Sequence, residues 1–360
     1  AARGLVVGLE GAHLLVDLGK LTVALHTYSK QQQQQQPPPV APSPQDFFPS
    51  TCRAWVEAEC EAMLQVLDVE DDMWVIKAAE GASTTSGFRP RLVHSMAAAL
   101  SEASAAMGRD SALQLVIQQY VKSPLLLHGR KFHLRAHVLV AGGTPRRAFL
   151  HRRLLALQGA KHYDLEAADC AECHWTSLPP RTLQEEDRHM EGHEIQRQLW
   201  RSRAVPRNFI NDTLLEVLRA QVGVALDAAG EHLSAPAGHF QLLNFEFLVD
   251  RLNQPWLLRV EEAPNTALSS AVALAVTENI AASAIQVMTD LHFGPSSRSS
   301  LSPARLQDMA QFEAVPGWSG ERPENWPTSL AEGDVAQTTP EQAAQAALHK
   351  EARCEDIETR

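Results

Sequence analysis

Between Lys131 and Val140 the chain alternates without a break. Phe132, Leu134, Ala136, Val138 and Val140 fall on one side, and Lys131, His133, Arg135 and His137 on the other. A period of two belongs to a strand, because successive side chains leave a pleated backbone on opposite faces. This strand has an apolar back, which needs a core, and a basic front. Bases in succession ahead of Val138-Leu-Val are a poor choice for plain solvent. They suit a surface that receives an anion, above all phosphate.

At 360 residues the chain has room for one large domain or two ordinary ones. Its formal net charge of -11 argues against a protein that coats nucleic acid, so the basic strand reads as a local site. Cys52, Cys60, Cys170, Cys173 and Cys354 are odd in number and irregularly spaced, which argues against a secreted disulfide framework and for a reducing compartment. No apolar run reaches the roughly 20 residues of a membrane helix, and no signal peptide is visible. A monomeric cytoplasmic protein, bound to neither membrane nor nucleic acid, is the expectation.

Leu5-Val-Val-Gly8 and Leu14-Leu-Val-Asp17 are strand-like pieces of an N-terminal lobe remnant over 1–30. The glutamine run from Gln31 has no core to bury and the prolines from Pro37 to Pro44 favour extended chain, so 31–45 reads as a linker. Arg53 to Val66 has helical spacing, and Met73-Trp-Val-Ile-Lys77 is a short buried strand. The loop after it, Ala78 to Gly87, is small and polar enough to close over phosphates with its backbone N–H groups. An alanine-rich helix, Met96 to Met107, precedes a strand from Leu115 to Val121.

Cys170-Ala-Glu-Cys-His174 fits the c-type haem attachment motif, and its side chains are also zinc ligands. No axial or fourth ligand follows at the right spacing, so coincidence in a loop is the reading. His189 and His193, four apart, share a face if helical, but Met190 replaces the glutamate of H-E-x-x-H, which leaves a solvated helix. Asn208 to Ala220 is an amphipathic helix, and Ala228 to His239 a loop. Gln241 to Asp250 and Pro255 to Glu261 form a hairpin pattern; if their faces coincide, Glu246, Arg259 and Glu261 meet. Thr266 to Leu291 is an apolar helix that covers the sheet, and 294–360 has the composition of a disordered tail.

Gln118-Gln-Tyr-Val-Lys-Ser-Pro-Leu-Leu-Leu-His-Gly-Arg-Lys-Phe-His-Leu-Arg135 resembles the signature of the tubulin tyrosine ligase-like family, Q-K-Y-x-x-x-P-L-L-x-x-G-R-K-F-D/H-I-R. Downstream, Phe245-Glu-Phe-Leu-Val-Asp250 and Pro255-Trp-Leu-Leu-Arg-Val-Glu-Glu-Ala-Pro264 resemble the family's F-D-F-x-x-D and x-W-L-I-E-V-N-x-x-P. The resemblance implies an α+β ATP-grasp fold in which two α/β lobes, 46–122 and 123–293, sandwich ATP. It implies ligation of a free amino acid (Tyr, Glu or Gly) to a carboxylate of tubulin or another acidic-tailed protein through an acyl phosphate. ATP and Mg²⁺ would be the cofactors, and the cytoplasm, at microtubules or cilia, the place.

Residue by residue, the resemblance gives Lys77 the α- and β-phosphates and Gln118 the adenine, beside Gln119 where a lysine is usual. Lys131 and Arg135 fall to the phosphates. Arg152, within Arg147 to Leu157, matches the arginine on the terminal phosphate, so Arg135 and Arg152 are the catalytic candidates. Glu246 stands for the family's Asp and Glu261 for its Asn, which makes them the metal candidates. The family's glutamate position is Arg259, which cannot ligate a cation and repels one. Two readings stay open. Either Glu246 and Glu261 hold one Mg²⁺ with Arg259 replacing a second, or Arg259 pairs with both and the chain is a non-catalytic relative that binds nucleotide or tubulin.

Overall fold

The computed structural model describes residues 4–34, 41–66, 72–79, 88–176, 188–234, 236–263, 270–293 and 311–318. Contacts divide the chain into Ala1–Glu321 and Arg322–Arg360, and every described residue lies in the first unit.

β1 (Val6–Val7) pairs in parallel with His239 and Phe240. α1 (His13–Val16) and α2 (Leu18–Gln33) follow. Leu14–Val16 is thus helical, against the strand its apolar run suggests. α2 also runs through Gln31–Gln33, against the linker that low complexity predicts. Glutamine is a good helix former, and Leu18, Leu21 and Leu25 give α2 a stripe to bury. Asp17 caps its start, accepting from the Lys20 N–H at 3.0 Å.

A small antiparallel sheet comes next: β2 (Thr51–Arg53), α3 (Glu57–Val66), β3 (Trp74–Ala78), β4 (Arg91–Val93), α4 (Met96–Arg109) and β5 (Leu115–Gln119), with strand order β2-β5-β3-β4. Its core joins Trp74 and Ile76 to Ala99, Ala103, Leu115 and Ile117. The helix expected from Arg53 begins only at Glu57, because Thr51–Arg53 pairs with β5. Gly81 and Gly87 of the phosphate-loop candidate lie outside the described residues.

The large sheet contains β6 (Leu126–Leu127), β7 (Arg130–Ala141), β8 (Arg147–His151) and β9 (Leu155–Gln158). α5 (Ala171–His174), β10 (His189–Glu191), α6 (Gly192–Arg201) and α7 (Leu215–Ala229) lead to β11 (His239–Val249), β12 (Pro255–Ala263), α8 (Ala271–Phe293) and β13 (Phe312–Ala314). β7 lies at the centre, between β11 on one side and β8 and β9 on the other, with β12 beyond β11. The alternation predicted for β7 holds. Phe132, Leu134, Ala136 and Val138 pack into one core with Leu218, Val222 and Leu226 of α7.

The opposite face is covered at one end by α8, whose Ala273, Val276, Ile280 and Ala284 meet Leu139, Ala141 and Leu242. By length and hydropathy α8 passes as a membrane span, which the reading of apolar runs denies. Its buried side is that of a sheet-covering helix. Part of the predicted tail is also ordered: β13 pairs with β8, and Val315 and Trp318 are buried. Trp318 donates to Asp227 Oδ1 at 2.8 Å.

Candidate functional site

The site grows from the front of β7. Antiparallel register sets Arg135 opposite Glu246 of β11, and Glu246 opposite Arg259 of β12; one step along, Glu261 stands opposite Asn244. Alternation therefore brings all four charged side chains to one face. Arg135 Nη2 donates to Glu246 Oε1 at 2.7 Å and lies 3.4 Å from Glu261 Oε2. Arg259 completes a ring, with Nε 2.7 Å from Glu246 Oε2 and Nη2 2.9 Å from Glu261 Oε1. A bulge between Glu246 and Phe247 adjusts the register there.

Both carboxylates are buried. Burial pushes the Glu246 carboxyl up, but Arg259 and Arg135 outweigh it and hold the group far below the usual range. Glu261 goes the other way: burial and the charge of Glu246 raise it, and the arginines offset this only in part. Burial also works against the charge on Arg259, but the two glutamates raise its pKa. Two carboxyl groups thus face two guanidinium groups.

Such a quartet does not fit a divalent cation. Its acids are already neutralised, and a guanidinium fills the space between them. Among the described residues no three His, Cys, Asp or Glu side chains gather as a metal site.

The quartet is joined from the small sheet. Lys77 Nζ donates to Gln118 Oε1 at 2.7 Å and to the Leu258 carbonyl of β12 at 3.2 Å, so it bridges the two sheets. Gln118 in turn donates to Thr51 Oγ1 at 2.9 Å. Burial, with Arg259 close by, draws the Lys77 ammonium down to about 7. Lys131, also drawn to about 7 by burial, lies over the Tyr120 ring and donates to its hydroxyl at 3.1 Å. Arg135 Nε and His133 Nε2 are buried without a partner. Buried basic groups with spare donors fit a polyphosphate such as that of ATP.

Lys77, Gln118, Lys131, Arg135, Glu246 and Glu261 therefore come together around the junction of the two sheets. Arg152 does not join them. Its ion pair is with Glu313 of β13, at 2.9 Å, and its side chain is half exposed. Its neighbour Arg153 pairs with Glu191 at 2.8 Å. His189 lies in β10 while His193 begins the following helix, so the two share no helix face. Tyr120 lies in the Gln118 to Arg135 stretch and His174 ends Cys170-Ala-Glu-Cys-His174, but neither spacing joins the two; their hydrogen bond at 2.8 Å supports Lys131 from behind. The structure also pairs Cys52 with Cys60 and Cys170 with Cys173 as disulfides, against the free thiols that irregular spacing suggests.

The sequence profile of the tubulin-tyrosine ligase family matches residues 18–297. The chain belongs to that family, and its fold is the ATP-grasp fold. Among its relatives, protein polyglycylase TTLL10 of Macaca fascicularis is 26% identical over 238 residues, 61% of this chain and 38% of the relative. The human relative, named inactive polyglycylase TTLL10, is 26% identical over 61% of this chain and 35% of its own length. The mouse probable tubulin polyglutamylase TTLL9 is 27% identical over 43% of this chain and 34% of its own. The chain thus spans about two fifths of the length of the curated relatives it matches. In fold it is similar to the C-terminal domain of K. lactis Pby1, an ATP-grasp enzyme interacting with the mRNA decapping enzyme Dcp2. The TM-score is 0.53 at 18% identity, over 84% of this chain and 79% of that one.

Proposed function

We propose that this chain is a nucleotide-binding relative of the tubulin–amino-acid ligases in which Arg259 blocks metal-assisted ligation. One observation carries the proposal: the Arg259 guanidinium bonds both acidic side chains that a cation would need. ATP lies between the two sheets, with Lys77 and Lys131 toward its phosphates, Gln118 toward the base, and Arg135 held ready by Glu246. When bound, ATP supplies an activated terminal phosphoryl group. An acidic protein tail, that of tubulin or a similar partner, is the macromolecular ligand. Relatives named as polyglycylases and polyglutamylases support this class of partner.

A second reading has its own support. Lys77, Lys131, Arg135, Glu246 and Glu261 still converge, as ATP-dependent ligation of Tyr, Glu or Gly to a tubulin carboxylate through an acyl phosphate requires. In that reading Arg259 takes over charge that a second Mg²⁺ would neutralise. Single-turnover assays with ATP, each amino acid and tubulin separate the two. No incorporation by the wild type, together with measurable ATP binding, is the expected result; incorporation would overturn the proposal.

A further inference from the structure

We propose that Cys170 and Cys173 form a thiol–disulfide exchange site whose opening loosens Lys131. The consequence for ATP rests on the nucleotide reading above; the exchange itself does not. The disulfide closes α5, a single helical turn too short to persist by itself. Cys173 is buried, but Cys170 is only partly buried and lines an open cleft of about 520 Å³. One wall of that cleft is Val93, His94, Ser95 and Ala98, and the other is the 166–169 loop. The cleft gives a small dithiol an approach to the disulfide turn.

The electrons and atoms balance. A reductant thiolate attacks Cys170 Sγ; the new S–S bond forms as the Cys170–Cys173 bond breaks, and Cys173 leaves as a thiolate that takes up a proton. The second thiol of the reductant then displaces Cys170, releasing a cyclic disulfide and leaving both cysteines reduced. The dithiol loses two electrons and the protein gains them.

The signal is carried by the residues that follow the second cysteine. His174 is fully buried, and its Nε2 donates to the Ala167 carbonyl at 3.0 Å. That fixes Nδ1 as the acceptor of the Tyr120 hydroxyl proton at 2.8 Å. The Tyr120 oxygen is then free to accept from Lys131 Nζ at 3.1 Å. Two residues on, Thr176 Oγ1 meets His133 Nδ1 at 2.9 Å. The backbone adds a second link: the Gly159 N–H donates to the Lys131 carbonyl at 2.7 Å, the Tyr163 N–H to the Gly129 carbonyl at 2.8 Å, and the Lys161 N–H to the Glu172 carbonyl at 3.2 Å. One end of this network is the disulfide turn and the other is the basic front of β7.

The test uses the full chain, purified aerobically. Peptide mapping without reductant should show Cys170 joined to Cys173. Dithiothreitol, or the Cys170→Ser/Cys173→Ser variant, should speed amide hydrogen exchange at 159–163 and weaken ATP binding about tenfold or more, the effect of losing one hydrogen bond to a charged group. Cys60→Ser, which opens the other disulfide, should leave exchange at 159–163 unchanged. Absence of the bridged peptide, or unchanged exchange after opening, would overturn the proposal. So would faster exchange with no change in affinity, in a protein that binds ATP. Faster exchange in a protein that binds no ATP in either state would support the coupling and sink the nucleotide reading instead.

Discussion

Arg259 and Glu246 are cross-strand neighbours, joined at 2.7 Å, and the same guanidinium reaches Glu261 at 2.9 Å. A single side chain thereby holds together two buried carboxylates that would otherwise repel. Removing one partner of such a set leaves an uncompensated charge in a poor solvent for it. The place of Arg259 therefore governs both stability and ion binding.

Arg259→Glu should destabilise the protein by about 3–5 kcal/mol in metal-free buffer, because three acids then face Arg135 with little water to screen them. Mg²⁺ should recover part of that loss. Thermal denaturation reads both effects: Mg²⁺ raises the Tm of the variant and leaves the wild type unmoved. A wild-type Tm that climbs with Mg²⁺ counts against the assignment.

Lys77→Met keeps the aliphatic stem and deletes the charge that spans the two sheets. ATP affinity should fall about ten- to a hundredfold, the range of one charge-assisted contact. Unchanged affinity by calorimetry would remove Lys77 from the nucleotide site.

Burial holds Lys77 and Lys131 near 7 in the free protein, so both are largely neutral well above that pH. Phosphates favour the charged forms and raise these pKa values on binding. The complex then carries more protons than the free protein, so binding takes up protons and affinity declines as pH rises above 7. Calorimetry in buffers of different ionisation enthalpy measures the uptake directly. Proton release instead would contradict it.

Trp318→Ala should cost about 3–5 kcal/mol, since a buried indole is lost and its cavity remains. The same change removes the bond to Asp227 and the surface on which Arg146 stacks at 4.9 Å. Urea unfolding with an unchanged slope would show the loss as stability alone.

Much of the site was legible because it depends on alternation. The period of β7 put Arg135 on its basic front, and the hairpin of β11 and β12 offered Glu246, Arg259 and Glu261 a common face on condition that the strands' faces coincide; the register joins all four. What failed depends on contacts distant in sequence. Arg152 matched a motif, but its partner Glu313 sits in a segment whose composition hid a strand. The Cys52–Cys60 pair follows from packing α3 on β2, which spacing does not reveal. Tyr120 and His174 gain their role only when the 159–176 loop folds over β7.

ATP binding by calorimetry, with and without Mg²⁺, tests the central claim most directly. If Arg259 occupies the place of the cation, the two affinities agree. Distinctly tighter binding with Mg²⁺ would mean that Glu246 and Glu261 release the guanidinium to hold the metal, and the chain would have to be treated as a working ligase.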